Sequence, residues 1–549
     1  MKVFLVNEIN KYDSVGINLL SSILKNKGHE ARVFLVPDLI YNTTIDLKFL
    51  NIAKFAFHIS DEEYIDYILS FKPDVIGFSV VTMYWKRASH LAQIIKRKAP
   101  HVLTIAGGPH TTVAPIEDMF GDYYFDYIVK GDGEISLPKL IEAFEAKNYS
   151  PEIPGVYYLN NGIIQGSGMG ELPVLDELPF QDKSDVWREY PFFQHLYTVN
   201  SQRSCQFSCT YCGSPKYRDA YYEINERIFR RRSVDNLVKE LYDAKRANPK
   251  MEHVGFFDDT FTSGKQWIRD FAREYKKYVK LPYFMCTNPC LMQDEDLIYQ
   301  LKESGLSYCE VGIQAIDEEY RMKKVLRPDK DSHIFDSTRY LRKHGVYFQV
   351  NHIFGLDRRD FDDDDFLKET VDYYLKVNPN WTHCFELDYF PACEETERAL
   401  KEGRITQEFY DGVNRGESSI SYNFGNIIKQ KRRFAPYIVL LQMMPFLPHS
   451  LIRIINRSKF LFYLVKKIPF HYVILARLLN TLKGGDMEGS PHFGKYIDGA
   501  FHILSIKKHL RLFRSGKVNN EHTGGPPPSG FIEHDSHLED KTLVSENSQ

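Results

Sequence analysis

The residue types most able to do chemistry in this 549-residue chain crowd into CQFSCTYC, where Cys205, Cys209 and Cys212 stand in a C-x3-C-x2-C spacing. Three thiolates gathered by so short a loop suit a soft metal or an iron–sulfur cluster. A structural zinc competes for them. It wants four closed ligands, and the fourth would have to come from elsewhere, such as Cys286, Cys290 or a histidine. Zinc sites usually pair C-x2-4-C units, so the spacing favours a cluster. The other cysteines, Cys286, Cys290, Cys309, Cys384 and Cys393, read as buried core thiols. Eight cysteines in all are too few for a disulfide framework and point to a reducing compartment. The opening MKVFLVNEIN reads as a strand and not as an export signal, so the expected location is the cytoplasm.

These residues need elements to position them. The cysteine loop follows a predicted strand, YTVNSQRSC, the first of a β/α alternation that continues through HVGFFDD, PYFMCTN, YCEVGIQA, YFQVNHIFGL and WTHCFELDYF. Five or six such units fit a full or partial TIM-type barrel, with chemistry at the strand carboxyl ends. An earlier alternation, KVFLV, HEARVFLV, DVIGFSVV, VLTIAGG and YIVKGDGE, reads as a doubly wound, Rossmann-like parallel sheet whose strand ends carry Gly107, Gly108, Gly131 and Gly133. No G-x-G-x-x-G follows the first strand, so a dinucleotide is not indicated. The expected chain is therefore α/β. A doubly wound domain spans 1–165, a Pro- and acid-bearing linker 166–192, a barrel 193–395, a helical basic region 396–515, and a disordered tail with GGPPPSG 516–549.

The cysteine spacing, with Tyr211 before the last cysteine and a barrel around it, resembles the signature of the radical S-adenosylmethionine superfamily. The resemblance implies that Cys205, Cys209 and Cys212 hold three irons of a [4Fe–4S] cluster, while the fourth iron binds the amino and carboxylate groups of S-adenosylmethionine. An electron, from a donor such as flavodoxin or ferredoxin, then cleaves the sulfonium to a 5′-deoxyadenosyl radical. By the same resemblance Tyr211 and Gly213 flank the cofactor, and Asp258 and Asp259 of HVGFFDDTFT meet its amino group, although a helix N-cap pair would account for them equally. Glu310 and Gln314 of YCEVGIQAID fall near its ribose or methionine end, and Gly355 of VNHIFGL near its adenine.

The first alternation resembles the cobalamin-binding domain that precedes many such barrels. This implies that Ser79, Thr82, Gly107 and Gly108 line a pocket for the nucleotide tail, with Gly133 and Glu134 at the next strand end. Tight βα turns are the structural alternative for these glycines. One departure stands out. Where related domains carry D-x-H-x-x-G, this chain has KYDSVG, with Asp13 in the place of the cobalt-ligating histidine and Gly16 kept. A carboxylate is a poorer partner than imidazole for this metal, so no histidine from this loop is expected on cobalt. A domain that keeps the fold and binds no cobalamin is the harsher alternative. His110, after GGP, reads as a loop residue.

Lys plus Arg number 70 and Asp plus Glu 73, a net charge of −3 that gives no whole-molecule attraction to nucleic acid. The charge is unevenly placed. Residues 418–485 contain 11 Lys or Arg and no Asp or Glu, where the chain average predicts about nine acids. Basic clusters, KQKRR at 429–433 and Lys466–Lys467, alternate there with the apolar runs YIVLLQMMPFL, FLFYLV and YVILARLL. Such a pattern fits peripheral contact with an anionic membrane. Pro436, Pro445 and Pro448 break the longest uncharged run as a spanning helix. A helical cap with a solvated basic face is the plainer reading, and RNA binding is disfavoured by scarce stacking platforms. The expected reaction is methylation of an unactivated carbon on a small or lipid-like substrate, in which the adenosyl radical abstracts hydrogen and methylcobalamin donates the methyl. Radical cyclisation or rearrangement, as in relatives acting on tetrapyrroles or hopanoid lipids, is the alternative within the superfamily. From a different class comes a non-enzymatic cobalamin or zinc sensor. A tRNA methylthiotransferase ranks lower, because no cysteine precedes Cys205 to hold a second cluster.

Overall fold

Two parallel sheets dominate the computed structural model, which describes residues 1–8, 14–36, 59–120, 124–222, 229–417, 433–468 and 489–515. The first contains β1 (Lys2–Glu8), β2 (Glu30–Val36), β3 (Val75–Ser79), β4 (Leu103–Gly107), β5 (Tyr127–Val129), β6 (Val156–Asn160) and β7 (Ile163–Gln165) in the order β2-β1-β3-β4-β5-β6-β7. Val3, Phe4, Leu5 and Val6 of β1 are all buried, as a strand covered by helices on both faces requires. One face packs on helices Val15–Asn26 and Gly133–Glu145 through Ile17, Leu24, Leu140 and Ile141. The other packs on Asp61–Leu69 and Trp85–Lys98 through Tyr64, Ile68, Leu91 and Ile95. Ser60 and Glu63 start the helix Asp61–Leu69 with a reciprocal capping box. β5 to β7 run antiparallel, a hairpin extension absent from the sequence reading. Its turn places Asn161 at φ 51° and Gly162 at φ 77°, the positive-φ pair that tight hairpins favour.

The second sheet contains β8 (Leu196–Val199), β11 (His253–Phe256), β12 (Tyr283–Thr287), β13 (Leu306–Gln314), β14 (Tyr347–Phe354) and β15 (Trp381–Glu386), all parallel, in the order β15-β14-β13-β12-β11-β8. It is thus the partial barrel among the two expected forms. Between β8 and β11 a short antiparallel pair, β9 (Gln202–Arg203) and β10 (Arg230–Arg231), stands apart from it. On β13, Cys309, Val311 and Ile313 join the core beneath the helices, so the period of two turns Tyr308, Glu310, Gly312 and Gln314 to the inner face.

The stretch 166–192, expected as a linker, forms a tightly packed connection. Val186, Trp187 and Tyr190 enter the main core, and the Lys183 amine donates to Thr198 Oγ1 at 2.7 Å. Single anchors separated by polar turns leave no periodic signal, which explains its irregular sequence.

The C-terminal region is helical. Helix Ala435–Met443 covers the edge strand β15 and buries Tyr437, Ile438, Val439, Leu440 and Leu441, so this part of the apolar run expected against lipid lies in the core. Helix Gly489–Arg514 returns to the first sheet's outer layer through Ile503, Ile506 and Leu510, where His509 stacks on Phe71 at 5.0 Å. Among the described residues no helix is long and apolar enough to cross a membrane. Asp13, Lys429–Arg432, the run YVILARLL and the tail 516–549 lie outside the described residues.

Candidate active site

The turn after β5 in the first sheet touches the segments on either side of the cysteine loop. β8 ends at Val199, and the chain turns through β9 into Cys205, Cys209 and Cys212 before helix Ser214–Tyr222. Asp258, just past β11, holds this turn. Its carboxylate accepts the Ser201 and Gln202 backbone N–H groups at 2.8 Å each and the Ser201 hydroxyl at 3.0 Å. Burial pushes its pKa up to about 6, against the pull of Arg231 and these donors. Asp258 therefore positions the loop. Neither it nor Asp259 caps a helix, because the next one begins at Lys265. Asp259 is bound by the Ser214 hydroxyl at the last cysteine's flank.

Each cysteine has a distinct polar neighbour. Cys205 Sγ lies 3.5 Å from Thr260 Oγ1, the Arg327 guanidinium is 3.8 Å from Cys209 Sγ, and the Ser214 backbone N–H donates to Cys212 Sγ at 3.5 Å. Arg218 braces the loop by donating to the carbonyls of Cys205 and Phe207. Burial raises the Cys209 thiol and pushes that of Cys212 up to about 12, so both favour the protonated form until a cation displaces the proton. Among the described residues no three His, Cys, Asp or Glu side chains converge on a single-ion site. Three thiols on one loop are the soft donors that an iron–sulfur cluster takes.

Arg327, which sequence reasoning missed, links the loop to the sheet. It is buried, pairs with Asp329 at 3.0 Å, and donates to Tyr211 Oη at 3.3 Å and to the Gly312 carbonyl at 2.7 Å. Tyr211 thereby packs between the cysteine loop and the apolar group of Ala315, Val325 and Leu356. A Cβ at Gly213 would meet nothing within 4 Å, which leaves open space beside Cys212.

The inner face carries a polar network. Tyr308 donates to Gln349 Oε1 at 2.8 Å, Gln349 Nε2 reaches Asn351 at 3.0 Å and His383 at 3.2 Å, and Asn351 donates to Glu310 at 3.3 Å. Gln349, Asn351 and His383 were not singled out from the sequence, although Q-x-N on β14 shows the same alternation of two that places Glu310 and Gln314. Gln314, at φ 70°, holds a buried side-chain oxygen without a hydrogen-bond partner, an acceptor site that S-adenosylmethionine would satisfy. Gly355 ends β14. Its N–H donates to Asp360 Oδ2 at 2.7 Å, and the Phe361 ring fills the space a Cβ would need.

On the opposing rim, Ser79 ends β3 half-buried and Gly107 ends β4. Gly108 sits at φ 107°, with Val80 N only 2.7 Å from where a Cβ would stand, so a close βα turn alone demands glycine there. Thr82 is buried and contacts His110 Nδ1 at 3.2 Å. His110 proves to be fully buried, with burial pushing its pKa down to about 3, and its Nε2 has no partner.

The β5 turn, Gly131 to Glu134, reaches across to the cysteine loop. Arg203, two residues before Cys205, binds Glu134 at 2.6 Å, and Arg230 binds Asp132 at 2.6 Å. Asp132 also accepts from the Tyr217 hydroxyl, while Tyr221 Oη accepts the Asp132 N–H at 2.5 Å and fills the place of a Gly131 side chain. Glu134 is thus committed to Arg203. Gly133, whose nearest neighbour is Leu20, starts the following helix.

Comparison with known proteins agrees with this geometry. The B12 binding domain family matches residues 1–141, and the radical SAM superfamily matches residues 199–369. The hopanoid C-3 methylase of Methylococcus capsulatus is 23% identical over 367 residues, which cover 65% of this chain and 62% of that protein. An anaerobic magnesium-protoporphyrin IX monomethyl ester cyclase of Rubrivivax gelatinosus is 24% identical over 344 residues, covering 59% of this chain and 57% of that protein. The chain therefore spans less than two thirds of either relative. The solved structure of the cobalamin-dependent S-adenosylmethionine radical enzyme OxsB with aqua-cobalamin shares the fold, with a TM-score of 0.58 at 14% identity over 94% of this chain and 81% of that one.

Proposed function

The chain belongs to the cobalamin-binding radical S-adenosylmethionine family, and from that premise we propose that it methylates an unactivated carbon of a small or lipid-like substrate. Held by Cys205, Cys209 and Cys212, a [4Fe–4S] cluster would supply the electron for cleavage of S-adenosylmethionine, and cobalamin held at the strand ends of the first domain would supply the methyl group. The observation that carries the reading is the pairing of Glu134 with Arg203, which holds the carboxyl end of the first sheet against the loop of Cys205, Cys209 and Cys212. Both cofactors then open on one space.

In this reading Cys205, Cys209 and Cys212 are the iron ligands, while Asp258 and Arg327 fix their loop. Tyr211, Gly213, Asp259, Glu310, Gln314 and Gly355 surround S-adenosylmethionine. Gln314 offers its unpartnered oxygen as an acceptor, and Asp259 stands at the Cys212 flank. Ser79, Thr82, Gly107 and Gly108 line the cobalamin rim with Gly133 at the next strand end, where Glu134 locks the turn to Arg203. The inner-face network of Tyr308, Gln349, Asn351 and His383 orients the substrate carbon and keeps bulk water from the radical. In this reading the domains are 1–165, 193–395 and 396–515, joined by the packed connection 166–192 and followed by 516–549. A flavodoxin or ferredoxin serves as electron donor, and the protein works in the cytoplasm with peripheral contact to anionic membrane through the part of 418–485 outside the buried helix Ala435–Met443.

The cyclase likeness keeps radical cyclisation as a second reading. Product analysis separates the two. With reductant and an extract containing the substrate, methyl transfer releases S-adenosylhomocysteine together with 5′-deoxyadenosine in equal amounts. Substrate-dependent 5′-deoxyadenosine without S-adenosylhomocysteine would instead assign cyclisation or rearrangement.

A further inference from the structure

Two short helices in the acid-free segment, His449–Arg457 and Lys459–Val465, leave an apolar face in solvent. Ile454 is 57% exposed, Phe460 70%, Tyr463 55% and Leu464 47%. Phe460, Tyr463 and Leu464 follow the i, i+3, i+4 spacing of one helical face. Their opposite sides are anchored, because Ile452 and Val465 are buried and Asn456 donates to the Lys368 carbonyl at 3.0 Å. The exposed side is therefore presented by a fixed scaffold. Single exposed apolar residues are ordinary on a soluble surface, whereas a contiguous patch marks an interaction site.

Charge identifies the occupant. Lys459, Lys466 and Lys467 border the patch and pair with no carboxylate among the described residues, although Lys467 lies over the Tyr463 ring at 5.2 Å and Lys466 over Phe462 at 5.3 Å. Residues 418–485 themselves carry no Asp or Glu, and the nearby Asp372 is taken up by Arg453 at 3.7 Å and Arg457 at 3.1 Å. Aromatic and aliphatic side chains between snorkelling lysines match the boundary between acyl chains and acidic headgroups.

We infer that this face, centred on Phe460, Tyr463 and Leu464 and rimmed by Lys459, Lys466 and Lys467, docks the enzyme on an anionic lipid surface. The inference rests on the membrane-contact part of the functional reading and is independent of the methyl transfer itself. It is tested by flotation of the reconstituted full-length protein with vesicles of phosphatidylcholine alone or with about one third phosphatidylglycerol. Wild type should float with the anionic vesicles at least about five-fold more than with the neutral ones, and lose that binding in high salt. F460S/Y463S/L464S and K459E/K466E/K467E should each lower flotation by about five-fold or more, with reductant-dependent cleavage of S-adenosylmethionine unchanged. Equal recovery with both vesicle types, or flotation unaffected by either triple variant, would overturn the inference. So would a dimer in gel filtration that dissociates in the apolar variant while vesicle binding is absent. Loss of cleavage in wild type would count against the catalytic reading and leave the docking result intact.

Discussion

At the scale of single residues, carboxylates next to the site act as supports more than as ligands. Asp258 accepts three hydrogen bonds that shape the turn before Cys205, and Asp360 receives the Gly355 N–H at the end of β14. Burial pushes the Asp360 carboxyl from its ordinary 3.8 up to about 7. Between those values the folded chain holds a proton that the unfolded chain has released, so this group's contribution to stability is present at low pH and lost as pH rises through about 7. Asp360→Asn keeps an acceptor for Gly355 and removes the titration. Denaturant unfolding at about pH 5 and pH 8 should therefore show a smaller loss of stability for the variant than for wild type. Equal losses would show that Asp360 does not titrate in this window. The cysteine loop was legible from spacing alone, because three thiols carried by one loop are near in sequence. Arg327 was not. It lies 115 residues after Cys212, and nothing local marks an arginine that folding returns to a thiol.

At the scale of elements, the β/α alternation was read correctly wherever strands are buried on both faces and helices carry clear caps. The hairpin β6–β7 was missed although VYYLNNGIIQ carries an Asn-Gly turn between apolar runs. Its signal was present and passed over, whereas the packed stretch 166–192 offers no period to read. The contact between the turn after β5 and the β9–β10 pair is a tertiary fact of a third kind, since Asp132 and Glu134 meet Arg203 and Arg230 only when segments distant in sequence are folded together. Arg203→Met should destabilise the protein by about 3 kcal/mol, because it leaves Glu134 buried without its cation. Combining it with Glu134→Gln should restore part of that loss, as a paired interaction requires. Chemical denaturation of the two single variants and the double variant reads this directly. Strictly additive losses would show that the two side chains do not couple the sheets.

At the scale of the whole molecule, the net charge of −3 conceals a basic segment carrying 11 cations and no acid. Composition found that segment, but could not divide it. The structure places Tyr437–Leu441 in the core and leaves Phe460, Tyr463 and Leu464 outside, because which helix covers β15 is decided by packing and not by hydropathy. The long helix Gly489–Arg514 packs on the outer layer of the first sheet through Ile503, Ile506 and Leu510, far in sequence from the strands it covers. The account stands on that loop. Its most direct test is anaerobic reconstitution with iron and sulfide, followed by iron analysis and assay of reductant-dependent S-adenosylmethionine cleavage in wild type and in C205A/C209A/C212A. The wild type should carry about four irons per chain with a reducible cluster and release 5′-deoxyadenosine, and the triple variant should do neither. Cleavage that persists in the triple variant, or a wild type that takes up one zinc and no reducible cluster, would contradict it.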